Sequence, residues 1–268
     1  MTLLAPNEPP DPASPQGPPE TRAPTVEQQG RWDAALRERP DRYGPEASAP
    51  ARASLELLRR VDARDLLELG GGQGRDTLFF ARAGLRVTAV DFAPVAVATI
   101  MEKAEAAGLA KLVSAVECDV REPLPLADAT FDACYSHMLF CMALAESQLH
   151  ALAAEVRRVL RPGGLCVYTA RTTSDPDFGR GTPLGGKLYE LDGFAIHFFD
   201  RDLVAGIAKG SGSGAFEVLA VEELEEGELP RRLIRVTMRK PQPSRPEPLP
   251  RWYFGCRGST AADRKRES

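Results

Sequence analysis

Leu66-Leu67-Glu68-Leu69-Gly70-Gly71-Gly72-Gln73-Gly74 opens the stretch that decides the fold, and the stretch closes at Asp91. Asp65–Gly70 is an apolar run of strand length, Arg75–Ala83 reads as a helix, and Arg86–Asp91 as a second strand. The glycines between strand and helix let the backbone turn sharply and let a ligand approach where a Cβ would collide. A helix starting directly after them offers unpaired N–H groups to an anionic part of a ligand. A carboxylate ending the next strand, roughly 20 residues on, can accept from both hydroxyls of a ribose. The stretch therefore predicts a nucleoside-containing ligand at the first turn of a doubly wound sheet.

The alternation continues outward. Pro94–Ala107 reads as a helix, Leu112–Cys118 and Phe131–His137 as strands, Glu146–Leu160 as a helix and Leu165–Arg171 as a strand. Strands alternating with helices, and strands that are nearly continuous apolar runs, mean a parallel sheet covered on both faces. After Arg171 the pattern breaks: residues 172–199 are rich in Gly, Pro and Asp yet hold Tyr189, Phe194, His197 and Phe198. A helix over Asp200–Lys209 and two extended segments, Phe216–Glu222 and Arg231–Arg239, follow; paired as a hairpin, these place an antiparallel strand at the end of the sheet. The expected fold is thus α/β, doubly wound, with a mostly parallel seven-stranded sheet, helices on both faces and the last strand antiparallel. Upstream, Val26–Arg39 is helix-compatible until Pro40, and Arg52–Val61 is a second amphipathic candidate; residues 26–61 are expected to cover the ligand cleft as lid helices.

Of 268 residues, 43% are hydrophobic, enough for one α/β domain with a real core, here placed at 26–240. Residues 1–25 and 241–268 are crowded with proline and charge, and are read as disordered tails. The net charge of −4 argues against a surface that grips nucleic acid or an anionic membrane. The short basic run Arg264-Lys265-Arg266 and the aromatic Trp252-Tyr253-Phe254 are read as part of a solvated tail. Five cysteines without regular spacing make neither a disulfide framework nor a metal site, and suit a reducing cytoplasm. No apolar run has the length of a membrane span, and the start has no signal-peptide pattern. The oligomeric state is not readable.

Spacing decides between nucleoside ligands. The dinucleotide fingerprint needs Gly or Ala at its sixth position; counting from Gly70 that position is Arg75, and from Gly72 it is Thr77. The observed order, an acid and then Gly70, Gly72 and Gly74 at alternate positions, resembles the first motif of class I S-adenosylmethionine-dependent methyltransferases. Cys118-Asp119-Val120 resembles their adenine-binding motif, Phe131-Asp132-Ala133 the opening of their fourth strand, and Leu160-Arg161-Pro162-Gly163-Gly164 the turn before the fifth. Gly74-Arg75-Asp76 and Glu226-Gly227-Glu228-Leu229 also look like those of tellurite-resistance methyltransferases. The resemblance implies S-adenosyl-L-methionine as cofactor. Gly70, Gly72 and Gly74 would line its methionine part, with Glu68 beneath the loop and Asp91 on the ribose. Phe92 would lie along the adenine, Asp119 would accept from its exocyclic amine, and the Val120 N–H would reach a ring nitrogen. It implies nothing equally specific about the acceptor.

Methyl transfer needs alignment above all, and a base only where the acceptor must lose a proton. His137, ending the fourth strand, is the candidate base or cofactor contact; His197 and Tyr189 in the 172–199 insertion are candidates for the same cleft, while His150 is read as surface. Arg171 and Lys187 are candidate anion contacts, and Cys134 and Cys141 are read as small buried hydrophobes. The Asn/Asp-Pro-Pro-Tyr signature of amino-group methylation on bases or glutamine is absent from the fourth strand, which reads Asp132-Ala133-Cys134-Tyr135. The expected activity is methylation of a small molecule. The alternatives are a macromolecular acceptor, RNA or protein, and a non-catalytic cofactor-binding regulator. Removing residues 1–24 and 242–268 is expected to leave cofactor affinity unchanged and to lower the melting temperature by less than about 4 °C; a larger drop in calorimetry would show a docked tail.

Overall fold

The computed structural model describes residues 25–40, 42–210, 214–226 and 231–242; the two predicted tails, except for Thr25, Pro241 and Gln242, lie outside the described residues. The core is one sheet of seven strands in the order β3-β2-β1-β4-β5-β10-β9. Its members are β1 (Asp65–Leu69), β2 (Arg86–Asp91), β3 (Val113–Glu117), β4 (Phe131–His137), β5 (Leu160–Arg171), β9 (Glu217–Glu226) and β10 (Arg231–Arg239). Strands β1 to β5 pair in parallel, and β10 runs antiparallel to both β5 and β9. The expected fold class and its one antiparallel strand are what the structure contains. Strand β5 starts at Leu160 rather than Leu165, because Leu160 pairs with Phe131 before a register shift.

Alternation along β1 sorts the core into two layers. Leu67 and Leu69 face a cluster built from α5 (Glu146–Val159) and α6 (Arg201–Lys209), including Leu149, Val156 and Ile207. Leu66 faces the other layer, made by α2 (Ala49–Arg60), α3 (Arg75–Arg82) and α4 (Pro94–Ala106). Helix α2 buries Ala51, Leu55 and Leu58 in that layer, so it is a core helix and not the lid expected of it. It begins earlier than Arg52 because Ser48 is its N-cap, its hydroxyl accepting from the Ala51 N–H at 3.0 Å, with Pro50 in the first turn. The 172–199 insertion, expected to be irregular, carries an antiparallel meander of β6 (Thr182–Gly185), β7 (Leu188–Leu191) and β8 (Phe194–His197). Asp192 and Gly193 both have positive φ (51° and 82°), the two-residue hairpin turn that matches strand twist. The β3–β4 link holds no helix, as its length and prolines predict. No helix among the described residues is long and apolar enough to cross a membrane.

A buried polar knot joins α2, α3 and β4. Asp76 accepts from the Ser48 N–H (2.8 Å), the Ser48 hydroxyl (2.7 Å) and the Tyr135 hydroxyl (3.1 Å). Ser48→Ala removes the cap and one of the three donors. It is expected to cost about 1–3 kcal/mol in denaturant unfolding; a change under 0.5 kcal/mol, roughly the effect of an ordinary surface substitution, would show that the knot is not stabilising.

Candidate active site

Strand order reverses between β1 and β4, since β2 and β3 lie on one side of β1 while the chain returns to place β4 on the other. Connections leave such neighbours in opposite directions and open a crevice at their carboxyl ends. Here it is a cleft of about 950 Å³. Its floor is Gly70–Gln73 after β1 and His137–Leu139 after β4; Phe92, Asp119 and Val120 form one wall, and Trp32, Leu36 and Tyr43 with Phe194 and Ile196 form the roof.

Gly70, Gly72 and Gly74 all take positive φ (76°, 53° and 79°), so the alternate glycines are a backbone requirement. Gly70 and Gly72 border the cleft, whereas Gly74 caps α3 against Ile100 and does not. The Asp91 carboxylate accepts from the Gly72 N–H at 2.9 Å and the Ala93 N–H at 3.0 Å, tying the loop to the turn after β2. Burial raises its pKa, and those amides oppose the rise. Glu68 is buried beneath the loop and accepts from the Thr77 hydroxyl at 2.5 Å. Burial, with Asp76 nearby, pushes its pKa up to about 8. Asp119 reaches the cleft, but Arg121 already holds both its oxygens, through Nε at 2.8 and 3.0 Å and Nη2 at 2.5 Å. Burial works against the charged Asp119, and Arg121 brings its pKa below the ordinary value.

The three catalytic candidates separate. His137 borders the cleft, with both ring nitrogens engaged: Nδ1 lies 2.8 Å from the Thr169 hydroxyl and Nε2 3.1 Å from Glu226 Oε2. His197 does not line it. Along β8, Phe194 and Ile196 face the cleft, while His197 is buried on the other face with Nδ1 2.8 Å from the Leu144 carbonyl, and burial lowers its pKa. Tyr189 does not line it either; its ring packs edge-on against Phe178 and Phe198 at 5.6 and 6.0 Å. Both are therefore structural parts of the insertion. The anion-contact candidates are also engaged. Arg171 is buried against Asp175 (2.5 Å) and Asp177 (2.6 Å), and Lys187 pairs with Asp200. Cys134 and Cys141 are fully buried. His150 is half-buried, its ring against Gly206 of α6, rather than on the surface.

Three glutamines, unremarkable in the sequence, hold α1 (Thr25–Glu38) over the cleft. Gln28 bridges to the meander, donating to the Gly193 carbonyl (2.9 Å) and accepting from the Ala195 N–H (3.3 Å). Gln29 donates to the Phe92 carbonyl (2.6 Å). Gln73, within the glycine loop, donates to the Leu36 and Arg39 carbonyls (3.2 and 2.6 Å), satisfying the end of α1. Glu226, also missed, enters from the far edge of the sheet. No cluster of three His, Cys, Asp or Glu able to hold a metal is found among the described residues.

Residues 66–164 match the family model described as a methyltransferase domain. Over that stretch the chain is similar to methyltransferase domains. Among curated relatives, a malonyl-[acyl-carrier protein] O-methyltransferase of Pectobacterium atrosepticum is 30% identical over 128 residues, 48% of this chain and 47% of the relative. A cypemycin N-terminal methyltransferase of a Streptomyces species is 36% identical over 111 residues, 40% of this chain and 41% of the relative. The chain thus spans less than half the length of these relatives. The fold of the methyltransferase domain is shared with the CcbJ methyltransferase of Streptomyces caelestis (TM-score 0.63, 18% identity, 80% of this chain and 99% of that one). It is shared equally with the [4+2]-cyclase SpnF (TM-score 0.63, 20% identity, 82% and 98%).

Glu68 gives a pH test of the loop. A carboxyl raised on folding contributes stability that is fully present below its ordinary pKa of 4.5 and is lost as pH rises toward about 8. Glu68→Gln removes that dependence. Between those pH values the variant is expected to gain on the wild type by roughly 2–4 kcal/mol, read by denaturant melts across the range. A difference that stays constant with pH would mean Glu68 is charged in the fold.

Proposed function

We propose that the chain transfers a methyl group from S-adenosylmethionine to a small-molecule acceptor. The observation that carries this reading is the Asp91 carboxylate, placed at the crevice beside a loop whose bordering glycines, Gly70 and Gly72, present backbone without side chain. In this reading Gly70 and Gly72 line the methionine part, with Gly74 shaping the turn behind them and Glu68 supporting the loop. Asp91 takes the ribose hydroxyls with the acceptor capacity its amide bonds leave free. Phe92 and the Val120 side chain enclose the adenine, the Val120 N–H reaches a ring nitrogen, and Asp119, oriented by Arg121, accepts from the exocyclic amine. His137 borders the cofactor's reactive end. The cofactor supplies the methyl group and its own leaving group, so the chain's task is to align the acceptor and exclude water.

A small acceptor is favoured by the roof. Helix α1 and the meander meet edge to edge, with Trp32 and Phe194 ring centroids 4.7 Å apart, and the cleft below is the size of pockets that enclose small ligands. The two covers form one joined surface. Because a cyclase has the same fold, the fold by itself is not the argument for transfer; the cleft is.

Calorimetry with S-adenosylhomocysteine tests the site, and a labelled-methyl screen against thiols, phenols, amines, metalloid oxyanions and bulk RNA tests the acceptor. Wild type is expected to bind the nucleoside and to give no heat with nicotinamide dinucleotides. Asp91→Ala is expected to weaken binding by about 2–4 kcal/mol, through lost charge-assisted bonds to the ribose and a loosened Gly72. Unchanged affinity in that variant would remove Asp91 from the site.

A further inference from the structure

Glu226 ends β9, which lies three strand positions from β4 in the sheet. At about 4.8 Å per strand those backbones stand roughly 14 Å apart, yet Glu226 Oε2 is 3.1 Å from His137 Nε2. The carboxyl end of β9 therefore reaches across the amino end of β10 and the carboxyl end of β5, and its Glu226 carboxylate borders the cleft. Both Glu226 and its cross-strand partner Arg231 border it.

The hydrogen bonds assign the protons. The Thr169 hydroxyl oxygen accepts from the Met138 N–H at 3.1 Å and lies 2.8 Å from His137 Nδ1. For a neutral ring, the tautomer that serves both bonds has the Thr169 hydroxyl donating to Nδ1 and the Nε2–H donating to the Glu226 carboxylate. With both nitrogens occupied, His137 has no free lone pair for a substrate, and the carboxylate it holds keeps its negative charge. Among the described residues, the hydrogen bond to the Glu226 carboxylate is the one from His137 to Oε2, which leaves Oε1 open. Burial disfavours the Glu226 charge, but the His137 bond, with Arg75 and Arg231 nearby, brings its pKa below the ordinary value.

The other charges around the cleft are either matched or at the rim. Arg171 is matched by Asp175 and Asp177, Arg121 by Asp119, and Arg75 lies 3.4 Å from Asp76 and over the Tyr43 ring. Asp192 and the arginines 39, 42, 180 and 231 are exposed, where water and salt screen them. Glu226 is half-buried, and the cleft it borders has apolar lining that includes Met138, Met142, Ile196, Phe194 and Trp32. A carboxylate at the edge of an apolar pocket is complementary to an ammonium carried on an apolar body.

We infer that Glu226, oriented by His137, is the anchor for a protonated amine on the acceptor, and that the cleft selects apolar amines over neutral and anionic counterparts. This rests on the reading of the cleft as a methyl-transfer site and adds the acceptor's chemical class. The competing pull of Arg231 and Arg75 would instead favour an anion, so the probes must differ in charge alone.

The full chain is titrated with 2-phenylethylamine, 2-phenylethanol and 3-phenylpropanoate by ligand-observed NMR at neutral pH, with and without S-adenosylhomocysteine. The amine is expected to bind wild type about tenfold or more tighter than the other two. Glu226→Gln is expected to erase that preference, and Glu226→Lys to turn it toward the carboxylate, a reversal that mere damage to the fold would not produce. Equal or undetectable binding of the three probes to wild type, or tightest binding of the carboxylate, overturns the inference; so does an amine preference that survives in Glu226→Gln. S-adenosylhomocysteine affinity in the same samples separates the two readings. If it binds wild type while the amine preference is absent, only the anchor is wrong; if it does not bind, the methyl-transfer reading fails.

Discussion

The Asp91 carboxylate accepts the Gly72 and Ala93 amides, and the geometry of the whole cofactor side follows from that pair of bonds. Gly72 sits on the loop after β1 and Ala93 on the turn after β2, two segments that leave adjacent parallel strands with no backbone bonds to unite them beyond those of Gly70 and Gly71 to Val90. A buried carboxylate with two amide donors joins them at a fixed spacing. Buried charge left unpaired would cost several kcal/mol, so the loop must present its N–H groups, and only residues free to take positive φ can do so at the alternate positions. Glu68 underneath meets the opposite demand. With the Thr77 hydroxyl its one hydrogen-bond donor, burial keeps the proton on it. One acid of the motif is thus tied by backbone amides, and the other is a support on which burial holds the proton.

The cover over this site is held differently from the core. Helix α2 places Ala51, Leu55 and Leu58 in a large apolar layer, whereas α1 packs Leu36 in a small cluster with Phe92, Ala93, Val95 and Ala96, and Trp32 on Phe194. Much of what fastens α1 is polar: side-chain amides of Gln28, Gln29 and Gln73 on backbone groups of the meander, the β2–α4 turn and the end of α1. Such bonds contribute about 1 kcal/mol each, far less than a buried apolar face. Elements held this way open at lower free energy than the core. Because Gln73 belongs to the glycine loop, a ligand that orders the loop also orders the end of the cover.

The sheet was legible because its signals are local and repeated. Apolar runs of strand length, helices between them and a glycine loop at one junction admit one architecture, and the strand edges moved by only a few residues. The meander was legible too, through Asp192-Gly193 between Tyr189-Glu190-Leu191 and Phe194-Ala195-Ile196, but the density of glycine and proline around it masked the hairpin. Side-chain roles depended on distance in space, and there composition misled. His197 and Tyr189 stood out as rare or aromatic residues in a loop, yet the alternation of β8 turns His197 away, and the Phe178–Phe198 cluster absorbs Tyr189. Glu226 lay in a run of surface-like acids, Glu222, Glu223, Glu225 and Glu226, and entered the reading only as part of the tellurite-resistance resemblance, with no role in the site.

Arg171 shows the same limit from the other side. Read in sequence, an arginine at the end of a central strand is a natural anion contact. In the fold its guanidinium lies over the Phe198 ring at 5.2 Å, between Asp175 and Asp177, and Asp175 also accepts the Arg232 N–H at 3.0 Å. Burial opposes its charge and the two carboxylates restore it. The arginine is thereby the peg that binds the start of the insertion to β5 and β10, and its charge is no longer available to a ligand. A fold that places many ionised groups around one apolar cleft must pair most of them internally, because each unpaired one would stand against desolvation when a ligand enters. What a ligand meets is then set by the few groups with bonding capacity left over, and in the proposed acceptor site Glu226, held through one oxygen by the His137 imidazole, has that property.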